Sequence, residues 1–193
     1  MRSRRIGRTM TVLAGAAAAS TLAVATASAN TGGAAPPGEP AAPPTTVPTT
    51  PTGPPGKATL LPNGSALPPA DAPPAVVNAI AAANQIRTMP YLWGGGHKSF
   101  TSAGYDCSGA VSFALHGAGV LASPMPSGPF MKWGVPGRGR WITTYANAGH
   151  MYAVIAGLRW DTSAYGSGSG KGPRWRATKR PARGYAVRHY TGL

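Results

Sequence analysis

The sequence predicts an α+β domain, with N-terminal helices packed on a small antiparallel β-sheet. Three observations predict it. All five tryptophans and all seven tyrosines lie after residue 74. The first part of that region carries apolar residues at helical spacing. Its later part breaks into short segments of β-type composition, and helices followed by such a meander suit an antiparallel sheet.

The chain before this region has a different character. Arg2, Arg4, Arg5 and Arg8 precede an uncharged, Ala-rich stretch from Thr9 to Thr26, and Ala27-Ser28-Ala29 offers a small-residue cleavage site. That is the pattern of a secretory signal peptide over residues 1–29. The apolar stretch is only just long enough to span a bilayer, and no basic flank follows it. Cleavage is expected, leaving no transmembrane segment. Ser3-Arg4-Arg5 hints at twin-arginine export, but Gly7 stands where a bulky apolar residue is usual, so the choice between that route and Sec stays open. Residues 30–74 are Pro, Thr, Gly and Ala with few aliphatic side chains, and are expected to form an extended, disordered linker. Residues 75–193 then make one domain of ordinary size.

Within it, Asp71 and Pro73-Pro74 can start a helix whose apolar stripe is Val76, Val77, Ile80, Ala83 and Ile86. Met89-Pro90 ends it. A loop from Tyr91 to Tyr105 holds Gly94-Gly95-Gly96. A second helix is expected from about Cys107 to Ala118, with Val111, Ala114, Leu115 and Ala118 on its apolar face. Strands are expected over 140–145, 150–156, 158–162 and 184–190, with Ser163 to Pro181 a mobile, Gly-rich insertion. That insertion is not a phosphate-binding loop, because Gly172 follows Gly170-Lys171 where Ser or Thr is needed.

Without the four leader arginines the chain has 14 basic residues against Glu39, Asp71, Asp106 and Asp161, a net charge of +10. Eight of those 14 lie between Arg159 and Arg188. A surface of that kind attracts polyanions, and export makes nucleic acid the poorest fit among them. The basic C-terminal region is therefore a candidate contact for anionic wall polymers, with solubility alone as the plain alternative.

Cys107 is the only cysteine, so it has no internal disulfide partner. It sits where the second helix begins, between Asp106 and Ser108, and a helix N-terminus favours an anion. A structural cysteine belongs more naturally in the middle of the apolar stripe. A thiolate nucleophile also needs an imidazole, held by a third group. His116 lies across the same helix and cannot serve. His97, in the glycine loop, stays open as a candidate, and His189 reads as a surface or core residue. His150 opens a strand on which His150, Tyr152 and Val154 share a face. If Ala156-Gly157 makes a tight hairpin loop, Asp161 falls opposite Tyr152 on that face, within side-chain reach of His150. A Cys107–His150–Asp161 triad is thus available. No His, Cys or acidic cluster has metal-ligand spacing, and no cofactor is expected.

Three stretches carry a resemblance. Pro90-Tyr91-Leu92-Trp93-Gly94-Gly95, then Tyr105-Asp106-Cys107-Ser108-Gly109, then Gly149-His150 opening a strand, resemble the NlpC-type cell-wall peptidases. These are papain-like cysteine endopeptidases of peptidoglycan, and the resemblance covers about Val76 to Thr162. It implies a papain-like core, hydrolysis of a peptidoglycan stem-peptide bond, and an extracellular or cell-wall location. Cys107 would be the nucleophile and His150 the base. Tyr91 would position or polarise substrate, with Trp93 a further substrate contact. Asp106 and Ser108 match positions that in some members recognise the free end of the stem peptide, although helix capping explains them equally well. The family's third polar residue is usually His, Asn or Gln, and Asp161 stands in that place here. The usual Pro-Gly-Asp strand start is replaced by Gly137-Arg138-Gly139-Arg140, and the basic tail has no counterpart. Two alternatives remain. One is a non-catalytic wall-binding module, gripping its ligand through Trp93, Trp133, Trp141 and Trp160. The other is a papain-like amidase or acyltransferase.

Overall fold

The structure, a computed structural model, describes residues 56–166 and 171–193, which belong to a compact unit spanning 47–193. The expected signal peptide and residues 30–55 of the expected linker lie outside the described residues.

The described chain opens with strands β1 (Thr59–Leu60) and β2 (Ala66–Leu67), an antiparallel pair. Composition places this segment in the linker, and the structure corrects that. Ala58 and Ala66 are buried, the Ala58 N–H donates to the Ala156 carbonyl at 2.8 Å, and Asn84 exchanges two 2.9 Å hydrogen bonds with the Ala66 backbone. A few aliphatic side chains suffice here because they join an existing core rather than having to build one. The folded region therefore starts by residue 56, ahead of the expected boundary at 75.

Helix α1 (Pro74–Ile86) begins with proline at its first turn, where the missing N–H costs nothing. Its buried stripe includes Val76, Ala79, Ile80, Ala83 and Ile86, so Ala79 rather than Val77 completes the expected face. Helix α2 (Cys107–Gly117) packs against α1. Its expected apolar face, Val111, Ala114, Leu115 and Ala118, is buried in full. A single turn, α3 (Ser127–Phe130), leads to the sheet.

The sheet has six antiparallel strands: β3 (Val135–Pro136), β4 (Ile142–Ala146), β5 (Met151–Ile155), β6 (Leu158–Asp161), β7 (Arg174–Arg176) and β8 (Ala186–His189). Their spatial order is β3-β8-β4-β5-β6-β7. Strands β5 and β6 face α2. Trp160, fully buried, ties them together by donating its indole N–H to the Ala110 carbonyl at 2.9 Å.

Two expectations change in this half. The stretch from Ser163 to Pro181 is not wholly an insertion, because β7 lies inside it and pairs with β6 through Arg159↔Arg176 and Trp160↔Trp175. Trp175 is buried and donates to Asn84 at 2.9 Å, so one asparagine serves both the N-terminal hairpin and the far edge of the sheet. Residues 167–170 of that stretch lie outside the described residues. Trp160 and Trp141 are 0% and 8% exposed, which removes both from any set of ligand-gripping aromatics.

Candidate active site

The two Gly-containing motifs are stitched together by backbone. Tyr91 and Tyr105 form a parallel bridge, with the Tyr105 N–H donating to Pro90 at 3.1 Å and the Leu92 N–H to Tyr105 at 3.3 Å. The Asp106 N–H donates to the Gly95 carbonyl at 3.2 Å. This pairing brings the glycine loop onto the start of α2. A Cβ on Gly109 would run into the Gly95 carbonyl, and one on Gly95 into the Gly104 carbonyl. Only glycine permits so close an approach.

Asp106 is the N-cap of α2. Its Oδ1 accepts the Gly109 N–H at 2.8 Å and the Ser108 hydroxyl at 3.1 Å, while Oδ2 accepts the Gly94 N–H at 3.2 Å. Cys107 is thereby the first residue of the helix, half-buried, with its own N–H free of intrahelical bonding.

His150 comes to the thiol from across the core. Its backbone N–H donates to Asn147 Oδ1 at 2.8 Å, fixing the entry into β5. Residues Ala156 and Gly157, both at positive φ (45° and 85°), make the two-residue turn joining β5 to β6. The register that follows, Val154↔Arg159 and Ala153↔Trp160, sets Asp161 opposite Tyr152 as the hairpin length requires. Asp161 Oδ1 meets His150 Nε2 at 3.0 Å, with the carboxylate completely buried. Since Nε2 is engaged, Nδ1 is the ring nitrogen left for the Cys107 thiol, which lies near enough to act on the charge of the imidazole.

The electrostatics follow from those contacts. Burial works against a charged imidazole, but the hydrogen bonds and charges of Asp161 and Cys107 outweigh it and raise His150 to about 9. Burial likewise pushes the Asp161 carboxyl upward. The hydrogen bonds from His150 and the Ser163 N–H, with the charges of His150 and Arg180, prevail and hold it below the ordinary range. Tyr91 is raised by burial and by the neighbouring Cys107 and Asp106 charges, so its phenol stays a hydrogen-bond donor.

Sequence reasoning missed the cations that hold Asp161. Arg180 Nη1 donates to Asp161 Oδ2 at 3.1 Å and to Ser163 Oγ at 3.0 Å, and Arg159 Nε lies 3.4 Å from the same Oδ2. The alternation of β6 could have signalled Arg159, two residues from Asp161 on the same face. Nothing local could have signalled Arg180.

The other histidines have different surroundings. His116 stacks on Phe100 at 3.8 Å and contacts the Leu121 carbonyl through Nδ1, away from the thiol. His189 Nδ1 meets the Gly137 carbonyl at 3.2 Å. His97 lies beside Asp106 and Ser108, with Nε2 2.8 Å from Asp106 Oδ2 and 2.8 Å from Ser108 Oγ. This resembles a second Ser–His–Asp set but cannot act as one. Both partners meet the same nitrogen, whereas a triad needs the acid on one ring nitrogen and the nucleophile on the other.

Of the residues expected at the site, Cys107, His150, Asp161 and Tyr91 come together, and Asp106 and Ser108 flank them while buried. Trp93 stands apart: 84% exposed, it borders a separate shallow depression with Leu92, His97 and Lys98. The depression beside His150 is lined by Tyr91, Thr162, Ser163, Ala164 and Lys171. Among the described residues no group of His, Cys, Asp and Glu could hold a metal ion, and no helix is long and apolar enough to cross a membrane.

No protein-family model matches the chain, and neither does any curated protein. Several solved structures are similar. RipB, a peptidoglycan hydrolase from Mycobacterium tuberculosis, is 27% identical with a TM-score of 0.45, over 60% of this chain and 64% of its own. Rv1477, a hypothetical invasion protein of the same organism, is 24% identical with a TM-score of 0.43, over 60% of this chain and 62% of its own. RipD, also from M. tuberculosis and described as a non-catalytic NlpC/p60 domain protein adapted to peptidoglycan binding, is 20% identical with a TM-score of 0.43, over 61% of this chain and 98% of its own. The chain thus spans less than two thirds of the first two.

Proposed function

We propose that the protein is an exported cysteine peptidase that hydrolyses peptide bonds in peptidoglycan stem peptides. Residues 1–29 would direct export, the chain up to about residue 55 would tether the domain, and the enzyme would act in the cell wall. The observation that carries the reading is the convergence of a helix-start thiol with a strand-borne imidazole and a buried carboxylate. The substrate class rests on the paired Pro-Tyr-x-Trp-Gly-Gly and Asp-Cys-Ser-Gly motifs.

In this mechanism His150 takes the proton of Cys107, and the thiolate attacks the amide carbonyl carbon. The oxyanion of the tetrahedral intermediate is met by the Cys107 N–H at the helix start, with Tyr91 as a second donor. The C–N bond then breaks as the protonated His150 gives its proton to the leaving amine. Water, activated by the same imidazole, hydrolyses the thioester and restores the thiol. Asp161 keeps the ring oriented and stabilises the imidazolium. Asp106 and Ser108 have intramolecular partners that explain their placement as cap and cap neighbour. A role at the free end of the stem peptide would require substrate to draw on their remaining acceptor capacity.

The test is digestion of purified peptidoglycan by the full chain and by Cys107→Ala, with fragments identified by mass spectrometry. Wild type should release peptides cut within the stem, and the variant should release none. Equal release by both, or none by wild type, overturns the reading. Glycan binding without release would favour a wall-binding module instead.

A further inference from the structure

The basic residues of the C-terminal region are not spread evenly over the surface. Lys57, Arg138, Arg159, Lys179 and Arg180 line one cavity of about 250 Å³, on the sheet face that carries Tyr145 and Val154. It is more enclosed than the depression beside His150, and no acidic side chain lines it. It is also distinct from the depression beside His150, with which it shares no lining residue.

Arg159 is the informative member. It is 2% exposed, its Nη2 donates to the Tyr165 carbonyl, and its Nε faces Asp161. Its Nη1 is buried and has no hydrogen-bond partner among the described residues. A buried guanidinium N–H without an acceptor is costly and rare in native proteins. Arg180 is held in place from several sides. Its Nη1 donates to Asp161 and Ser163, and the guanidinium lies over the rings of Tyr165, Tyr152 and Tyr185 at 4.8, 5.5 and 5.5 Å. Among the described residues Asp161 is the one carboxylate paired with Arg159 and Arg180, and its single charge is already shared with His150. Five cations therefore converge with most of their charge uncompensated.

We propose that this cavity is a binding site for a phosphate-type oxyanion. Planar guanidinium forks match the oxygens of phosphate and pair with them more strongly than neutral donors do. A free phosphate or a monoester also supplies more than one negative charge, and a diester polymer supplies one at every repeat, where a carboxylate supplies one. It would give Arg159 Nη1 the acceptor it lacks, with Lys179, Arg138 and Lys57 closing around the ligand. The chemistry is that of a free phosphate ion, a phosphomonoester or one phosphodiester unit of a polymer. The inference rests on the cavity alone and holds whether or not Cys107 cleaves anything.

The test is isothermal titration calorimetry on the full chain, with ionic strength held constant by chloride. One arm uses inorganic phosphate and the other poly(glycerol phosphate). Saturable binding of at least one probe is expected, weakened roughly tenfold or more in Arg159→Gln and in the double variant Arg138→Gln/Lys179→Gln. Arg138 and Lys179 are exposed, so the double variant should fold even if Arg159→Gln does not. The control Lys132→Gln/Arg140→Gln removes the same charge outside the cavity. Phosphate binding identifies a free ion or monoester as sufficient, and binding of the polymer alone identifies a diester segment. If neither probe saturates, or the control pair weakens binding as much as the cavity pair, the proposal fails.

Discussion

Two His–Asp pairs flank Cys107, and they differ in what each aspartate is doing. On one side His97 meets Asp106 at 2.8 Å, and on the other His150 meets Asp161 at 3.0 Å. By distance alone they are interchangeable. Asp106, however, also accepts two backbone N–H groups and a hydroxyl, so its charge is consumed in capping α2 and anchoring the glycine loop. Asp161 accepts one backbone N–H and otherwise faces side chains: His150, Arg159 and Arg180. One pair holds the backbone that presents the thiol. The other is arranged to set the charge and direction of an imidazole.

The comparison can be broken most sharply by exchanging the histidines' fates. His150→Ala should lower stem-peptide release by roughly 10⁴-fold or more, in keeping with loss of a triad base. His97→Ala should keep release within about tenfold, because its nitrogen is not paired for proton transfer. Fragment yields from the two variants on the same peptidoglycan sample decide this.

The aspartates should separate next. Asp161→Asn should reduce turnover by about 10- to 100-fold, short of the ~10⁴ seen when a serine triad loses its acid. Asparagine can still accept the Nε2 proton, but it cannot hold His150 near 9. Turnover in wild type requires protonated His150 and should fall as pH rises through about 9. In Asp161→Asn that alkaline limb should move down toward the ordinary 6.5. Rate–pH profiles of both proteins test the shift. Asp106→Asn should keep the helix cap through Oδ1 but lose the acceptor for the Gly94 N–H, and so should cost less stability than Asp106→Ala. Asp106→Ala should lose about 1–2 kcal/mol of stability in urea unfolding.

A smaller effect is written in the stability of the His150–Asp161 pair. Asp161 titrates below its ordinary 3.8 when folded, so its contribution is present above that pH and lost as pH falls through the lowered value. His150 titrates near 9 when folded against 6.5 ordinarily, so its contribution is complete below 6.5 and lost as pH rises through 9. The two overlap between about 4 and 6.5, where thermal unfolding should give the highest midpoint for this pair's contribution. Asp161→Asn should flatten that dependence.

The candidate triad was legible in sequence because two rules fix it. A two-residue turn at Ala156-Gly157 sets the register, and a period of two then puts Asp161 on the face of His150. The helix start was legible from Asp106 and the apolar spacing behind it. Arg180 was not, because it reaches Asp161 from 19 residues further along the chain, beyond β7. Strand β7 is three residues long in a Gly-rich, basic stretch, too short to show alternation. The N-terminal hairpin leaves no mark in the sequence for a related reason. Its two-residue strands have no period, and their stability comes from Asn84 and the core beneath.

The assignment of Cys107 to His150 rather than His97 is tested most directly by the rate of thiol alkylation as a function of pH. With iodoacetamide at mildly acidic pH, wild type and His97→Ala should both react readily, while His150→Ala should react far more slowly. An unreactive Cys107 in wild type, or a His97→Ala variant as slow as His150→Ala, would contradict the account.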